Sequence, residues 1–236
     1  MEPVITAIRN ELSKNADPAI RETSRRFFKD EISCYGMKTA AVTAIGKKYW
    51  KEIRSRDKEE IFSLCEELYR SGFLEEAFIA STWAHALSNR FEPGDLGVFE
   101  HWIDTWITNW AACDGFCNHA VGDFITTYPE RVADLKRWAT SSNRWLRRAA
   151  CVSLIMPAKH GEFLSEAFEI ADLVLTDPDD IVQKGYGWLL KEASRKHTAE
   201  VFAYVMRNKT VMPRTALRYA IELMPKELKA EAMMRG

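Results

Sequence analysis

Apolar residues recur at helical spacing along almost the whole chain, and this regularity restricts the fold more than any other feature of the sequence. No sustained alternation of apolar and polar residues indicates a β-strand. The sequence therefore predicts an all-α fold. Proline at the first helical position marks several helix starts, at Asp17-Pro18, Tyr128-Pro129, Asp177-Pro178 and Met212-Pro213.

Short links join the predicted helices, so consecutive helices are expected to pack antiparallel as hairpins. No break in composition divides the 236 residues, and a run of such hairpins is typical of HEAT or armadillo solenoids. We therefore expect one domain over residues 1–236, a curved superhelical solenoid of HEAT-like antiparallel helix pairs. The repeat period is weak, and an irregular helical bundle is the alternative.

Two classes of protein are disfavoured by the apolar pattern. No apolar run reaches the roughly 18 to 20 residues that a membrane span requires. The first residues, MEPVITAIRNELSKN, are amphipathic and lack the basic-then-apolar order of a secretory signal. We expect a soluble cytoplasmic protein that makes no contact with a membrane.

The cysteines are odd in number and scattered, which is typical of reduced, buried thiols. Cys113 and Cys117 lie four residues apart and could face one another on a helix. Zinc requires about four ligands, however, and His119 alone does not complete the set. We therefore expect no metal site and no cofactor. The five cysteines are residues 34, 65, 113, 117 and 151.

The net charge of -1 conceals a segregated charge distribution. Residues 51–130 carry 6 Lys and Arg against 15 Asp and Glu, whereas residues 131–160 carry 7 against 1 and residues 181–220 carry 8 against 2. Segregation of this kind can build a basic surface for a polyanion on a protein of nearly zero total charge.

The segment HWIDTWITNWAACD places Trp102, Trp106, Trp110 and Asp114 at a spacing of four, so adjacent members lie near one helical face. We expect Trp102 and Trp106 to lie in the core, whereas Trp110 has polar neighbours. Asp114 either caps a helix that starts near residue 115 or carries a function, and the two roles are compatible.

The segment DPDDIVQKGYGWLLKEASRKH begins with Asp177 as the expected helix cap. Lys184, Trp188, Lys191 and Arg195 then share a face that is separate from the apolar stripe of the helix. Lysines alone would fit a solvated face, but a tryptophan in that row is hard to explain as a solvent-exposed residue. We therefore expect Trp188 to face a ligand.

The segment SSNRWLRRAAC contains three arginines within five positions, Arg144, Arg147 and Arg148, which cannot all be buried. Arg144 and Arg148 share a helical face, and the planar guanidinium fork suits phosphate oxygens. The segment is either a phosphate clamp or an ordinary charged face.

Taken together, three motifs resemble the alkylpurine DNA glycosylases of the AlkD type, which are built from HEAT-like repeats. The motifs are the Trp-x-x-x-Asp turn of Trp110 and Asp114, NRWLRRAAC and IVQKGYGWLLKE. The resemblance runs from SRRFFKDEISCYGMKT to about residue 222. It implies that Asp114 is the catalytic carboxylate, that Trp110 and Trp188 hold the sugar of the lesion nucleotide, and that Arg148 contacts a phosphate. Phe27 stands near a position where the family can carry tyrosine, which puts one hydroxyl contact in doubt.

The resemblance also implies the reaction, hydrolysis of the N-glycosidic bond of cationic alkylated purines such as 3-methyladenine and 7-methylguanine in duplex DNA. The family is known for doing this without inserting the base into a pocket. A charged purine is already a good leaving group, so one carboxylate can stabilise the oxocarbenium-like sugar and position water. Arg144, Arg147, Lys184 and Lys191 are then expected to bind the DNA backbone, and no lysine is singled out for lyase chemistry.

Other classes of function remain as alternatives to this enzyme. A non-catalytic HEAT-like module could bind DNA or a protein, but retention of Asp114 with both tryptophans favours the enzyme. A protein scaffold would leave the Trp188 and Arg148 faces without a shared purpose. We expect the partner to be double-stranded DNA containing alkylated purines, the protein to be a monomer, and the site residues to meet along one groove.

Overall fold

The computed structural model describes residues 2–234, and helices dominate this part of the chain. An isolated bridge between Ser33 and Phe73 is the only extended pairing within it. The predicted all-α fold is therefore confirmed. No helix in this range has both the length and the apolar character needed to cross a membrane.

The helices group into two compact units, one ending at Phe116 and the other beginning at Cys117. In a helical-repeat protein each repeat contacts mainly its neighbours, so compact groups also arise within one continuous array. The single domain over residues 1–236 stays a prediction.

The first unit contains seven α-helices among its described residues, and a 3-10 turn at Ser88–Arg90. Its core is strongly aromatic, because Trp102 is fully buried with Tyr69 and Phe116 ring centroids at 5.4 and 5.7 Å. The prediction that Trp102 belongs to the core is thus confirmed. The α-helices are α1 Pro3–Lys14, α2 Pro18–Arg25, α3 Thr39–Ile53, α4 Lys58–Arg70, α5 Leu74–His85, α6 Asp95–Thr105 and α7 Trp110–Phe116.

Two adjacent glutamates at the start of α5 fasten the non-helical segment between α2 and α3. Glu75 is only 3% exposed, and its carboxylate accepts hydrogen bonds from the backbone N–H groups of Tyr35, Gly36 and Met37 at 2.9, 2.8 and 3.1 Å. Glu76 is 1% exposed and accepts from the Tyr35 hydroxyl at 2.8 Å and from Arg9 Nε at 3.0 Å. Both buried charges are therefore compensated by donors.

Two further features fix this segment. Burial and the hydrogen bond to Glu76 raise the pKa of Tyr35 well above its usual value, so the phenol stays a donor near neutral pH. Gly36 has a φ of 88°, and a Cβ there would lie 2.3 Å from the carbonyl oxygen of Asp17. Only glycine fits this left-handed, crowded position.

The second unit opens with a π-helical turn, Cys117–Val121, and contains a 3-10 turn at Pro129–Arg131. Its helix α13 (Asp180–Ala193) packs against α10 (Arg144–Val152) and α15 (Arg214–Ala220), and α12 (Leu164–Leu173) packs against both α9 (Val132–Ala139) and α13. Phe168 of α12 stacks on Tyr204 of α14 at 4.7 Å, which places these two helices side by side. The α-helices are α8 Gly122–Thr127, α9 Val132–Ala139, α10 Arg144–Val152, α11 Ile155–His160, α12 Leu164–Leu173, α13 Asp180–Ala193, α14 Thr198–Asn208, α15 Arg214–Ala220 and α16 Lys226–Met233.

Two glycines of α13, Gly185 and Gly187, face its neighbours at different separations. A Cβ at Gly187 would lie 2.7 Å from Tyr219 Cβ and 2.8 Å from the Ala216 carbonyl oxygen, both on α15. A Cβ at Gly185 would meet Arg148 Cγ of α10 at 3.5 Å, an ordinary contact. The α13–α15 contact therefore requires glycine, and the α10–α13 contact does not.

All five cysteines are buried and outside any disulfide, as predicted from their apolar surroundings. Burial raises the pKa of the Cys65 thiol above its usual value. Within residues 2–234, no group of three or more His, Cys, Asp or Glu side chains is arranged to hold a metal ion.

Replacing Glu75 by glutamine is expected to destabilise the first unit. One carboxylate oxygen accepts from Gly36 and Met37 and the other from Tyr35, so the amide nitrogen must face at least one backbone N–H. We expect a loss of about 2–3 kcal/mol in the free energy of unfolding, measured with urea. Glu60→Gln, on the exposed side of α4, is the matched control, and equal midpoints for both variants would contradict the anchoring role.

Two alanine substitutions in α13 are expected to have opposite effects. Gly187→Ala forces α15 away from α13 and should lower the free energy of unfolding by about 1–3 kcal/mol. Gly185→Ala adds an ordinary contact and a better helix former, so it should leave stability unchanged or raise it by up to about 1 kcal/mol. Thermal unfolding distinguishes them, and a more stable Gly187→Ala variant would refute the close approach.

Candidate functional site

Asp114 lies inside α7 and does not cap a helix. Asn109 performs the capping, since its side-chain oxygen accepts a hydrogen bond from the Ala112 N–H at 2.9 Å and α7 begins at Trp110. The prediction of a helix start near residue 115 is therefore wrong, because asparagine and aspartate are equally good caps and the periodicity left the break between α6 and α7 unresolved. Aspartate is a poor residue for a helix interior, so helix formation does not explain Asp114.

Trp110 and Asp114 lie four residues apart on α7, which places both side chains on one face of the helix. Both are partly exposed. Asp114 also makes an interaction of its own within the structure. The predicted indole and carboxylate therefore lie side by side on one accessible face of α7.

Phe28 fixes the orientation of Trp110. Its ring stacks on the indole with centroids 5.2 Å apart and planes 21° apart. Phe28 itself packs against a buried cluster formed by Ile32, Cys34 and Leu74. Stacking of this kind holds the indole in one tilt, because a rotated ring would lose the offset face-to-face contact.

Phe28 is a site residue that the sequence analysis missed. The adjacent Phe27, singled out by the resemblance, is 73% exposed. The sequence feature that could have indicated Phe28 is the presence of two adjacent phenylalanines, Phe27 and Phe28. Helix α2 ends at Arg25, so no helical register extends to the pair and periodicity cannot decide which ring points inward.

Trp106 is not a core residue of the same kind as Trp102. It is only partly buried, with the Arg70 guanidinium 5.1 Å from its ring centroid and the His101 ring edge-on at 6.4 Å. The prediction of a core role was therefore wrong for Trp106. The row drifts around the helix with each step of four, and α6 ends at Thr105 before the row is complete.

Helix α13 carries the predicted mixed face. Lys184, Trp188 and Lys191 are partly exposed, and Arg195, which lies beyond the end of the helix at Ala193, is exposed. The opposite side is buried, and its members include Val182, Tyr186, Leu189, Leu190 and Ala193. The prediction that Trp188 stands apart from the apolar stripe of α13 is confirmed.

The cap of α13 is Asp179, not Asp177 as predicted. Asp179 accepts a hydrogen bond from the Ile181 N–H at 3.0 Å, and the helix begins at Asp180. Asp177 instead accepts from the Asp179 N–H at 2.9 Å and pairs with Arg147. Three acidic residues lie in this turn, and sequence alone did not show which one the helix selects.

Each cation predicted to bind the DNA backbone has a carboxylate neighbour. Three of the four carboxylates belong to the turn DPDD that precedes and begins α13. Phosphate binding by these cations would therefore replace or share an ion pair, and the charge count of the basic segments overstates their local potential. The pairs are Arg144–Asp179 at 3.5 Å, Arg147–Asp177 at 2.6 Å, Lys184–Asp180 at 3.0 Å and Lys191–Glu222 at 3.1 Å.

Arg148 lies between α10 and α13. It is only 5% exposed, and its guanidinium donates a hydrogen bond to the carbonyl oxygen of Ile181. Its aliphatic stem runs past Gly185, as the 3.5 Å separation from a Cβ built there indicates. Arg148 thus supports the start of α13, and its contact with a phosphate stays a prediction.

Removal of the α7 cap is expected to weaken the support of Asp114. Asn109→Ala deletes the acceptor for the Ala112 N–H and should lower the free energy of unfolding by about 1 kcal/mol, within a range of roughly 0.5–2. Asn89→Ala changes an exposed asparagine and should lie within about 0.5 kcal/mol of the wild type. Urea unfolding measures both. Equal stability of the two variants would show that Asn109 does not contribute as a cap.

One family model and two solved structures are similar to this chain. The model of a family described as DNA alkylation repair enzyme matches residues 8–224. A predicted DNA alkylation repair enzyme from Enterococcus faecalis is similar in structure, with a TM-score of 0.80 and 18% identity over 90% of this chain and 98% of that one. The crystal structure of smu.31 from Streptococcus mutans UA159 has a TM-score of 0.60 and 18% identity, over 93% and 98% of the two chains. No curated protein matches the sequence.

Proposed function

The chain belongs to the DNA alkylation repair enzyme family, and from this premise we propose that it is a monofunctional DNA glycosylase for cationic alkylated purines in duplex DNA. The substrates proposed are 3-methyladenine and 7-methylguanine. The observation that carries the proposal is the placement of Asp114 inside α7, one turn from Trp110, where it is not used as a cap. The reaction needs no cofactor, and we propose a cytoplasmic monomer.

In the proposed chemistry the enzyme stabilises the sugar and gives little assistance to the leaving base. The bond between C1′ and the purine nitrogen breaks, and its electrons neutralise the positive charge of the alkylated base. The sugar becomes oxocarbenium-like, and water adds to C1′ and loses a proton. A base that already carries its charge needs no general acid, so the barrier depends on stabilising the sugar cation.

Asp114 is proposed to supply that stabilisation. Two opposite unit charges about 4 Å apart at an effective dielectric constant of 20 attract by about 4 kcal/mol, which corresponds to roughly a 10³-fold change in rate. The carboxylate can also orient the attacking water by accepting a hydrogen bond from it. One residue can therefore account for a large part of the catalysis.

Trp110 is proposed to present its electron-rich face to the same cation. A cation–π interaction with an indole contributes about 0.5–2 kcal/mol. A ring that is already held in place loses less conformational entropy when it makes this interaction. The stack on Phe28 supplies that restraint. Trp188 keeps the role that the resemblance implies, contact with the sugar of the lesion nucleotide.

The backbone of the DNA is proposed to bind the cations of the second unit. Arg144, Arg147, Lys184 and Lys191 would exchange their carboxylate partners for phosphate oxygens. Exchange of this kind releases counterions from DNA and makes the affinity fall steeply with salt. Arg148 is proposed as a further phosphate contact.

Asp114→Asn is expected to separate binding from chemistry. The change removes the negative charge and keeps the shape, so affinity for methylated duplex should stay within about threefold. Release of free 7-methylguanine and 3-methyladenine in single-turnover assays should fall about 10³-fold. Asp57→Asn, an exposed aspartate in the same unit, is the matched control.

The outcomes of that assay distinguish the proposed enzyme from the alternative. Undiminished release by Asp114→Asn would remove Asp114 from the mechanism. Tight binding of methylated duplex by the wild type without release of either base would favour a non-catalytic DNA-binding module.

Asp180→Asn is expected to strengthen binding to undamaged duplex DNA. The variant frees Lys184 from its carboxylate neighbour at 3.0 Å, so one more phosphate contact becomes available. The slope of log K against log[salt] should steepen by about 0.9, measured by fluorescence anisotropy at several salt concentrations. Glu200→Gln, an exposed change of equal charge on α14, should leave the slope unchanged. The same steepening in both variants would indicate a general charge effect.

A further inference from the structure

We propose that α15 extends the DNA-binding face of α13, with Arg218 and Tyr219 as additional contacts to the phosphate backbone. The inference rests on the proposed function in one respect, that the ligand is duplex DNA. It goes beyond that function by assigning contact roles to a helix outside all three motifs that carried the resemblance.

Helix α15 borders the mixed face of α13. Tyr219 packs directly over Gly187, where a Cβ would lie 2.7 Å from its own Cβ. One turn further along, Lys191 Nζ lies 3.1 Å from Glu222, just beyond the end of α15. Gly187 is adjacent to Trp188, and Lys191 lies on the same mixed face of α13 as Trp188. Both contacts with α15 are therefore at or beside this face, so α15 borders it directly.

The side chains of α15 divide into a buried inner side and an exposed outer side. Ala216, Leu217 and Ala220 are buried and define the inner side of the helix. Arg218 is exposed, and Tyr219 is 36% exposed although it packs on α13. Successive residues are about 100° apart, so Tyr219 lies on the α13 side of the outer surface and Arg218 beside it.

Arg218 differs from the four predicted cations in its electrostatic surroundings. The Arg218 guanidinium makes no hydrogen bond or ion pair with any other residue among residues 2–234. The four cations predicted from sequence all have carboxylate partners. Among the described residues, a phosphate therefore displaces no anion on reaching Arg218, which makes Arg218 better placed for a backbone contact than any of those four.

The two residues should act differently on DNA binding. The guanidinium replaces a condensed counterion, so its contribution depends on salt. The Tyr219 hydroxyl is neutral and donates a hydrogen bond without releasing an ion, so its contribution should not depend on salt. Tyrosine hydroxyls are among the side-chain groups that donate hydrogen bonds to DNA phosphates.

The test measures affinity for an undamaged duplex as a function of salt. Arg218→Gln should reduce the magnitude of the slope of log K against log[salt] by about 0.9 and weaken binding about five- to tenfold at low salt. Arg207→Gln, on α14 with its guanidinium over the Tyr204 ring, removes the same charge from a different helix and should leave the slope unchanged. An unchanged slope in Arg218→Gln, or equal changes in both variants, overturns the proposal.

Tyr219→Phe gives an independent measurement. It keeps the Cβ that approaches Gly187 and removes only the hydroxyl, so stability should be unchanged. Affinity should fall about threefold to tenfold at every salt concentration, with the slope unaltered. Unchanged affinity overturns the role of Tyr219.

Base release separates this inference from the proposed function. Release of 7-methylguanine by the wild type is measured in parallel, with protein in large excess over methylated DNA. If the wild type releases no base but Arg218→Gln still loses salt dependence, the glycosylase proposal fails and the contact stands. If release occurs and the slope does not change, the contact fails alone.

Discussion

The first unit depends on one buried carboxylate that accepts three backbone N–H groups. Glu75 fixes residues 35–37 against the start of α5, and the adjacent chain brings Phe28 onto the cluster of Ile32, Cys34 and Leu74. Phe28 in turn supports Trp110, one helical turn from Asp114. A segment without helix or strand thus gains a fixed position from a buried carboxylate, and the Phe28 ring supports Trp110 from 82 residues earlier in the sequence.

The candidate residues divide by chemistry between the two units. The described residues of the first unit include the carboxylate and an indole held by a second ring. The second contains the indole of Trp188 within a row of cations and the turn DPDD, whose carboxylates lie beside three of the predicted cations. A segregated sequence charge therefore does not become a uniformly basic surface, because acidic residues close in sequence or in space offset part of it.

Sequence periodicity was sufficient for the fold class, for the buried Trp102 and for the separate face of α13, because all three depend on spacing within one element. It was insufficient where several residues of equal capping ability compete, as with Asn109 and Asp114 or Asp177 and Asp179. It also gave no information on Phe28 over Trp110 or Arg147 with Asp177, since these contacts join residues 82 and 30 positions apart. The roles of the site residues came from the resemblance, and they remain predictions.

The ion-paired cations also bear on how long the protein would remain on an undamaged site. An enzyme that searches a genome must leave each wrong position quickly, and dissociation slows with every phosphate that is held firmly. In the proposed complex with DNA, carboxylates beside the cations compete with the phosphates, so each cation that leaves a phosphate returns to an internal carboxylate rather than to bulk water. The turn DPDD would in this way shorten the dwell time on intact DNA and speed the search, at the expense of equilibrium affinity.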